Sequence, residues 1–140
     1  MNNKLLRWYL LSVDISFIIY WGAALLDLFP GEMLFNNYHD DVITAWNWSF
    51  FPIDIIASFI GLSSIYIYKK NVNSHLAMQL ANISLSMIFC AGMMALSFWA
   101  LTEDYSISWW VANLYLAIPS AGFLYKFMIV KQSVVKQSVN

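Results

Sequence analysis

The sequence predicts an all-α integral membrane protein, an antiparallel four-helix bundle, and three observations carry that prediction. Of 140 residues, 61% are hydrophobic and 11% charged, against roughly 45–50% and 25% in soluble domains. A sphere this small cannot hide the excess apolar surface. Long runs lack formal charge altogether, and the seven basic residues occupy only segments that a four-span chain leaves on one side.

The first span is placed at residues 5–29, ended by Pro30-Gly31. Lys4 and Arg7 precede it as in a secretory signal, but it is too long, contains Asp14 and lacks a small-residue cleavage site, so it is expected to be retained. The second span, residues 42–68, is equally apolar and carries one acid, Asp54. The third, residues 76–102, has 27 consecutive uncharged residues, and the fourth, residues 107–130, lies mostly within 21 more, Tyr105 to Tyr125. Each suffices to cross about 30 Å of hydrocarbon at about 1.5 Å per residue. The short connections at 71–74 and 102–106 force antiparallel neighbours. A loop over residues 30–41 is expected to cover the bundle partly, and residues 131–140 to form a frayed, basic, membrane-apposed tail. The whole chain, 1–140, reads as one domain.

Lys4, Arg7, Lys69, Lys70, Lys126, Lys131 and Lys136 lie at the two termini or between the second and third spans, and none lies on the other side. The positive-inside rule then makes both termini cytoplasmic. Trp8, Trp46, Trp48, Trp109 and Trp110 fall near span ends, where amphipathic rings anchor at the interface.

Helical spacing selects the faces expected to point inward. On the third span the stripe is Gln79, Asn82, Ser86, Cys90, Met93 and Ser97; on the second it is Asn47, Asp54, Ser58 and Gly61; on the fourth, Asn113, Ala117 and Ser120. Small and polar residues bring membrane helices together, so packing alone accounts for these stripes. Pro52 and Pro119 are expected inside their helices, each freeing a carbonyl and bending the span.

Asp14 and Asp54 require a further account, because an ionised carboxylate in hydrocarbon costs at least about 2.5–3.5 kcal/mol. Their different depths, roughly 10 Å apart by helix rise, argue against one shared-proton dyad. Three readings follow. A neutral acid hydrogen-bonds the next helix, an acid anchors the cation of a lipophilic amine beneath Trp21, Trp46, Trp48 and Phe51, or the acids serve proton-coupled transport. The candidate ligand set is Asp54 with Asn47, Ser58, Asn113 and Trp110, and secondarily Asp14, whose face is lined by Leu10, Phe17, Ile18 and Trp21.

Other classes find less support. Net charge of −1 gives no field for nucleic acid. Cys90 lies in an apolar run away from His39 and His75, so neither a metal site nor a Cys/His nucleophile is expected, and no cofactor is implied. Isolated acids offer no converging donor and acceptor, which argues against an enzyme. Partners expected are the bilayer, a membrane protein or second copy, and a small lipophilic molecule.

Small four-span multidrug transporters also carry an acid in their first helix, but their dual-topology dimers need balanced basic residues, unlike the seven-to-none division here. The sterol-isomerase and sigma-2-receptor superfamily likewise uses intramembrane acids, the basis of an isomerase-like alternative, at the level of fold analogy alone. The segments Ala45-Trp46-Asn47-Trp48-Ser49-Phe50-Phe51-Pro52-Ile53-Asp54, Asp14-Ile15-Ser16-Phe17-Ile18-Ile19-Tyr20-Trp21, Ser97-Phe98-Trp99 and Ser108-Trp109-Trp110 resemble more closely the YvaD-like family of small bacterial four-span membrane proteins. That resemblance implies a bacterial inner-membrane location and transfers no catalytic or binding residue.

Overall fold

The computed structural model describes residues 4–28, 30 and 39–139, the last ten of these as backbone only. The elements are α1 (Lys4–Leu25), α2 (Asp41–Trp48), α3 (Phe51–Lys70), α4 (His75–Leu101) and α5 (Ile107–Val139). Four stretches, Lys4–Leu25, Asp41–Lys70, His75–Leu101 and Ile107–Ile129, are long and apolar enough to cross a membrane. The fold is therefore all-α with four membrane-type spans, as composition and charge-free runs expect. Most of the 30–41 loop and the side chains of the 131–140 tail lie outside the described residues, while the backbone of α5 is helical through Val139.

The second span is two helices rather than one. Asp40 caps α2, its carboxylate accepting from the backbone N–H of Val42 at 2.8 Å and of Ile43 at 3.2 Å. The chain then turns through Ser49 and Phe50, and the Phe50 N–H donates to the Asn47 carbonyl at 3.1 Å. Pro52 sits in the first turn of α3, where a missing N–H leaves no helical bond unmade. The expected position of Pro52 inside a continuous helix is thus corrected: it starts a new one. Pro119 does lie inside α5.

Helices α1 and α4 end alike. Asp27 (φ 52°) and Glu103 (φ 56°) adopt the left-handed conformation, and the next N–H reaches back to close the turn, Leu28 to the Ala23 carbonyl and Asp104 to the Trp99 carbonyl, each at 3.0 Å.

By contact the chain divides into two compact units, Met1–Ser84 and Leu85–Asn140. In the first, α1 and α3 pack antiparallel along one seam with three rungs. Arg7 lies over the Tyr68 ring, Asp14 lies against Gly61, and Trp21 donates to Asp54. Each rung is seven residues further along α1 and seven residues back along α3. A heptad repeat on both helices keeps one face in register, the left-handed packing common to membrane bundles. Ser84 of α4 adds a bond to the Ala57 carbonyl of α3 at 3.0 Å.

In the second unit α4 meets α5 through Gly92, where a Cβ would lie 3.0 Å from the Asn113 carbonyl oxygen and 3.1 Å from the Ala117 nitrogen. The rings of Trp99 and Trp109 stack 6.4 Å apart nearby in sequence.

The inward face expected for the third span is corrected. Gln79, Ser86, Cys90, Met93 and Ser97 are exposed and Asn82 is half-buried, whereas Ala77, Ala81, Ser84, Leu85, Ile88, Ala91, Ala95 and Trp99 are buried. Buried positions recur at spacings of three and four, and the alanine pairs 77/81 and 91/95 among them let backbones approach; in lipid that shape counts for more than side-chain polarity. Exposed hydroxyls need no interhelical partner: Ser97 Oγ donates to the Met93 carbonyl one turn earlier at 2.8 Å.

Candidate functional site

Asp54 is buried one turn into α3, on the same heptad face as Gly61 and Tyr68, with its carboxyl toward α1. Its Oδ2 accepts from Trp21 Nε1 at 2.9 Å. Its Oδ1 is buried without a hydrogen-bond partner. The Trp21 ring is fixed in turn by Trp48 and Phe51, both with centroids at 5.3 Å, and by its neighbour Tyr20 edge-on at 5.0 Å.

Asn47, at the end of α2, is also buried, and its Oδ1 accepts from the Tyr20 hydroxyl at 3.0 Å. Tyr20 lies within electrostatic reach of Asp54. Ser58 is buried one turn below Asp54 and returns its hydroxyl to the Asp54 carbonyl at 2.8 Å. Asp54, Asn47 and Ser58 therefore gather with Tyr20 and Trp21 on the α1 face of the broken second span.

Asp14 stands at a separate level, one heptad from Trp21, about 10 Å by helix rise. It is fully buried, and neither carboxyl oxygen has a hydrogen-bond partner. Of its expected lining, Leu10, Phe17 and Trp21 are buried, but Ile18 is 42% exposed. Trp21 serves Asp54 through its N–H. Trp110 and Asn113 belong to the second unit. There Trp110 Nε1 donates to the Asp104 carbonyl at 2.9 Å and Asn113 Nδ2 to the Trp109 carbonyl at 2.8 Å, so each donor already has a local acceptor.

Sequence spacing missed the Tyr20 hydroxyl and the Trp21 N–H as donors to Asn47 and Asp54, because Trp21 reads as an aromatic wall and Tyr20 carries no expected role. The signal was present in the register. Asp14 to Trp21 and Asp54 to Gly61 are equal heptad steps, so two antiparallel helices that oppose one pair also oppose the other.

Chemically, this cluster offers one carboxyl oxygen that can accept from a further donor, walled by aromatic faces that suit an apolar or cationic body. Among the described residues no three His, Cys, Asp or Glu side chains converge to hold a metal ion.

A family model described as "Family of unknown function (DUF5360)" matches residues 6–134. The chain is also 38% identical over 122 residues to the "Uncharacterized protein YvaD" of Bacillus subtilis (strain 168), an alignment covering 87% of this chain and 90% of that one. The chain belongs to the YvaD-like family. No solved structure matches it. The match spans both acids, the Trp46 to Asp54 entry to the second span and all but the first two residues of the four apolar stretches.

Proposed function

We propose that this YvaD-like protein is a non-enzymatic multi-pass protein of the bacterial cytoplasmic membrane, with both termini cytoplasmic, that holds a small lipophilic ligand at Asp54 through a cationic or N–H group. The observation that carries the reading is the asymmetry of one carboxyl. One oxygen is fixed by the Trp21 N–H, and the other is buried and unpartnered within a wall of Trp21, Trp48 and Phe51. A buried acceptor without a donor is costly, and a ligand donor removes that cost. The Tyr20–Asn47 bond braces the same wall from its outer end. The orientation rests on the one-sided placement of the seven basic residues.

Native mass spectrometry of the full chain released from a mild detergent tests the reading. The wild type is expected to carry a small-molecule adduct that Asp54→Asn loses while both proteins show the same helical circular dichroism. An adduct retained equally by Asp54→Asn, or a wild type that carries none and is not stabilised by hydrophobic amines, overturns it.

A second reading, association with a membrane partner or a second copy, is favoured by the last span. Only 17% of its most apolar window is buried, against 39–44% for the other three. Cysteine crosslinking from Ile118, which is 65% exposed, tests it: a specific crosslinked band supports association, and monomer at every position along that face opposes it.

A further inference from the structure

We infer that the end of the α1–α3 seam marked by Arg7 and Tyr68 binds the headgroup of an anionic phospholipid. Four cations meet at that end of the first unit. Lys4 and Arg7 lie in the opening turns of α1, and Lys69 and Lys70 close α3. No acid occurs in residues 1–13 or 55–84 of the same unit, so the turns of α1 and α3 that carry these cations hold no carboxylate of their own.

Arg7 is the built part of this site. Its guanidinium carbon lies 5.1 Å from the centroid of Tyr68, a ring that is itself buried. This contact fixes the guanidinium plane at the margin of the packed seam, and Arg7 Nε is buried there with no hydrogen-bond partner. Arg7 as a whole is only half-buried, so the rest of its guanidinium remains open to an acceptor from outside the chain. A planar fork held at the membrane boundary matches phosphate oxygens better than a point charge does.

The neighbouring groups point the same way. Lys70 Nζ lies over the Tyr66 ring at 4.5 Å, and Tyr66 is 59% exposed. That aromatic face and the lysine stem present an apolar surface below a cationic one, the sequence of environments that a lipid presents in acyl chain and headgroup. The first turn of α1 carries no acid to neutralise its positive end, which adds to the field on a phosphate.

The full chain in neutral detergent, titrated with phosphatidylglycerol, phosphatidylcholine or inorganic phosphate and followed by thermal unfolding, tests the inference. Phosphatidylglycerol is expected to raise the midpoint saturably, with the effect fading as salt increases, while the other two leave it unchanged. Arg7→Gln is expected to weaken the apparent lipid affinity at least fivefold, and Arg7→Lys to restore it only in part, because the fork is gone. Lys69→Gln with Lys70→Gln is expected to weaken it by at least threefold; both lysines are exposed, so this variant carries the test should Arg7→Gln fail to fold. Equal stabilisation by phosphatidylcholine, full reproduction of the shift by inorganic phosphate, or unchanged titration of the double lysine variant overturns the inference.

Discussion

The carboxyl of Asp14 fills the space that a side chain at position 61 would occupy: a Cβ added to Gly61 would lie 2.8 Å from Asp14 Cγ and 2.9 Å from Oδ1. Glycine is required there by a neighbour, not by backbone conformation. Gly61→Ala is therefore expected to destabilise the protein by about 1–3 kcal/mol, the usual cost of overpacking. Asp14→Ala removes the obstructing atoms, so the double variant should recover most of that loss, with a coupling of about 0.5–3 kcal/mol. Unfolding of the four members of this cycle in detergent measures it, and simple additivity would show that the two residues do not share the space.

Gly92 provides the contrasting case. A Cβ there would press on backbone atoms of Asn113 and Ala117 as well as on Leu116 Cβ at 3.0 Å. Backbone in a helix cannot be trimmed. Gly92→Ala should cost about 1–3 kcal/mol, and Leu116→Ala, which keeps its Cβ and the facing backbone, should not rescue it. Recovery in the double variant would mean that α5 can slide, contrary to this packing.

Trp21→Phe separates hydrogen bonding from packing at Asp54. Phenylalanine retains a ring against Trp48 and Phe51 but donates nothing, leaving both Asp54 oxygens without the bond now made at 2.9 Å. A loss of about 1–3 kcal/mol is expected for the orphaned acid, and Asp54→Leu in the same background should return part of it, since an apolar side chain needs no donor. Unchanged thermal unfolding of Trp21→Phe would show that the indole N–H does not hold the carboxyl.

The four spans were legible because lipid imposes length and apolarity directly on sequence, and no tertiary contact can override that demand. The inward faces of the second and fourth spans were legible for the same kind of reason: Asn47, Asp54, Ser58, Gly61, Asn113, Ala117 and Ser120 are all buried, and each is small or polar where a lipid-facing residue would be neither. The third span misled. Its polar stripe can satisfy itself on its own backbone, as Ser97 does, so polarity did not mark the contact face and alanine did. The helix break at Ser49-Phe50 was hidden because Pro52 reads alike as a kink or a start. The pairing of the Asp54 carboxyl with the Trp21 N–H depends on the register between two helices, which single-helix periodicity does not contain.

Glu103 holds a left-handed backbone at the end of α4 with φ 56°, a conformation that costs a residue bearing a Cβ about 1–2 kcal/mol. Glu103→Gly removes that cost and keeps the closing bond from Asp104 N–H to the Trp99 carbonyl. Glycine's greater freedom when unfolded offsets part of the gain, so a net stabilisation of about 0.5–1 kcal/mol is expected, read as a higher unfolding midpoint. A lower midpoint would indicate that the carboxylate itself contributes to the turn.

Charge placement makes a topological prediction that single cysteines can measure. The protein has one native cysteine, Cys90, exposed within α4, so Cys90→Ser provides a background without thiols. In that background Lys69→Cys precedes the turn that leads into α4 and Glu103→Cys follows its last residue, and the 27 residues of α4 between them rise about 40 Å at 1.5 Å per residue. A charged, membrane-impermeant maleimide applied to intact cells should label Glu103→Cys and leave Lys69→Cys unlabelled until the cells are lysed. The sign follows from the absence of any Lys or Arg between Arg7 and Lys69 or between Lys70 and Lys126, which leaves both opposite-side loops without the charge that retains a segment in the cytoplasm. Labelling of Lys69→Cys in intact cells would reverse the orientation, and equal labelling of both positions would mean that the chain enters the membrane both ways.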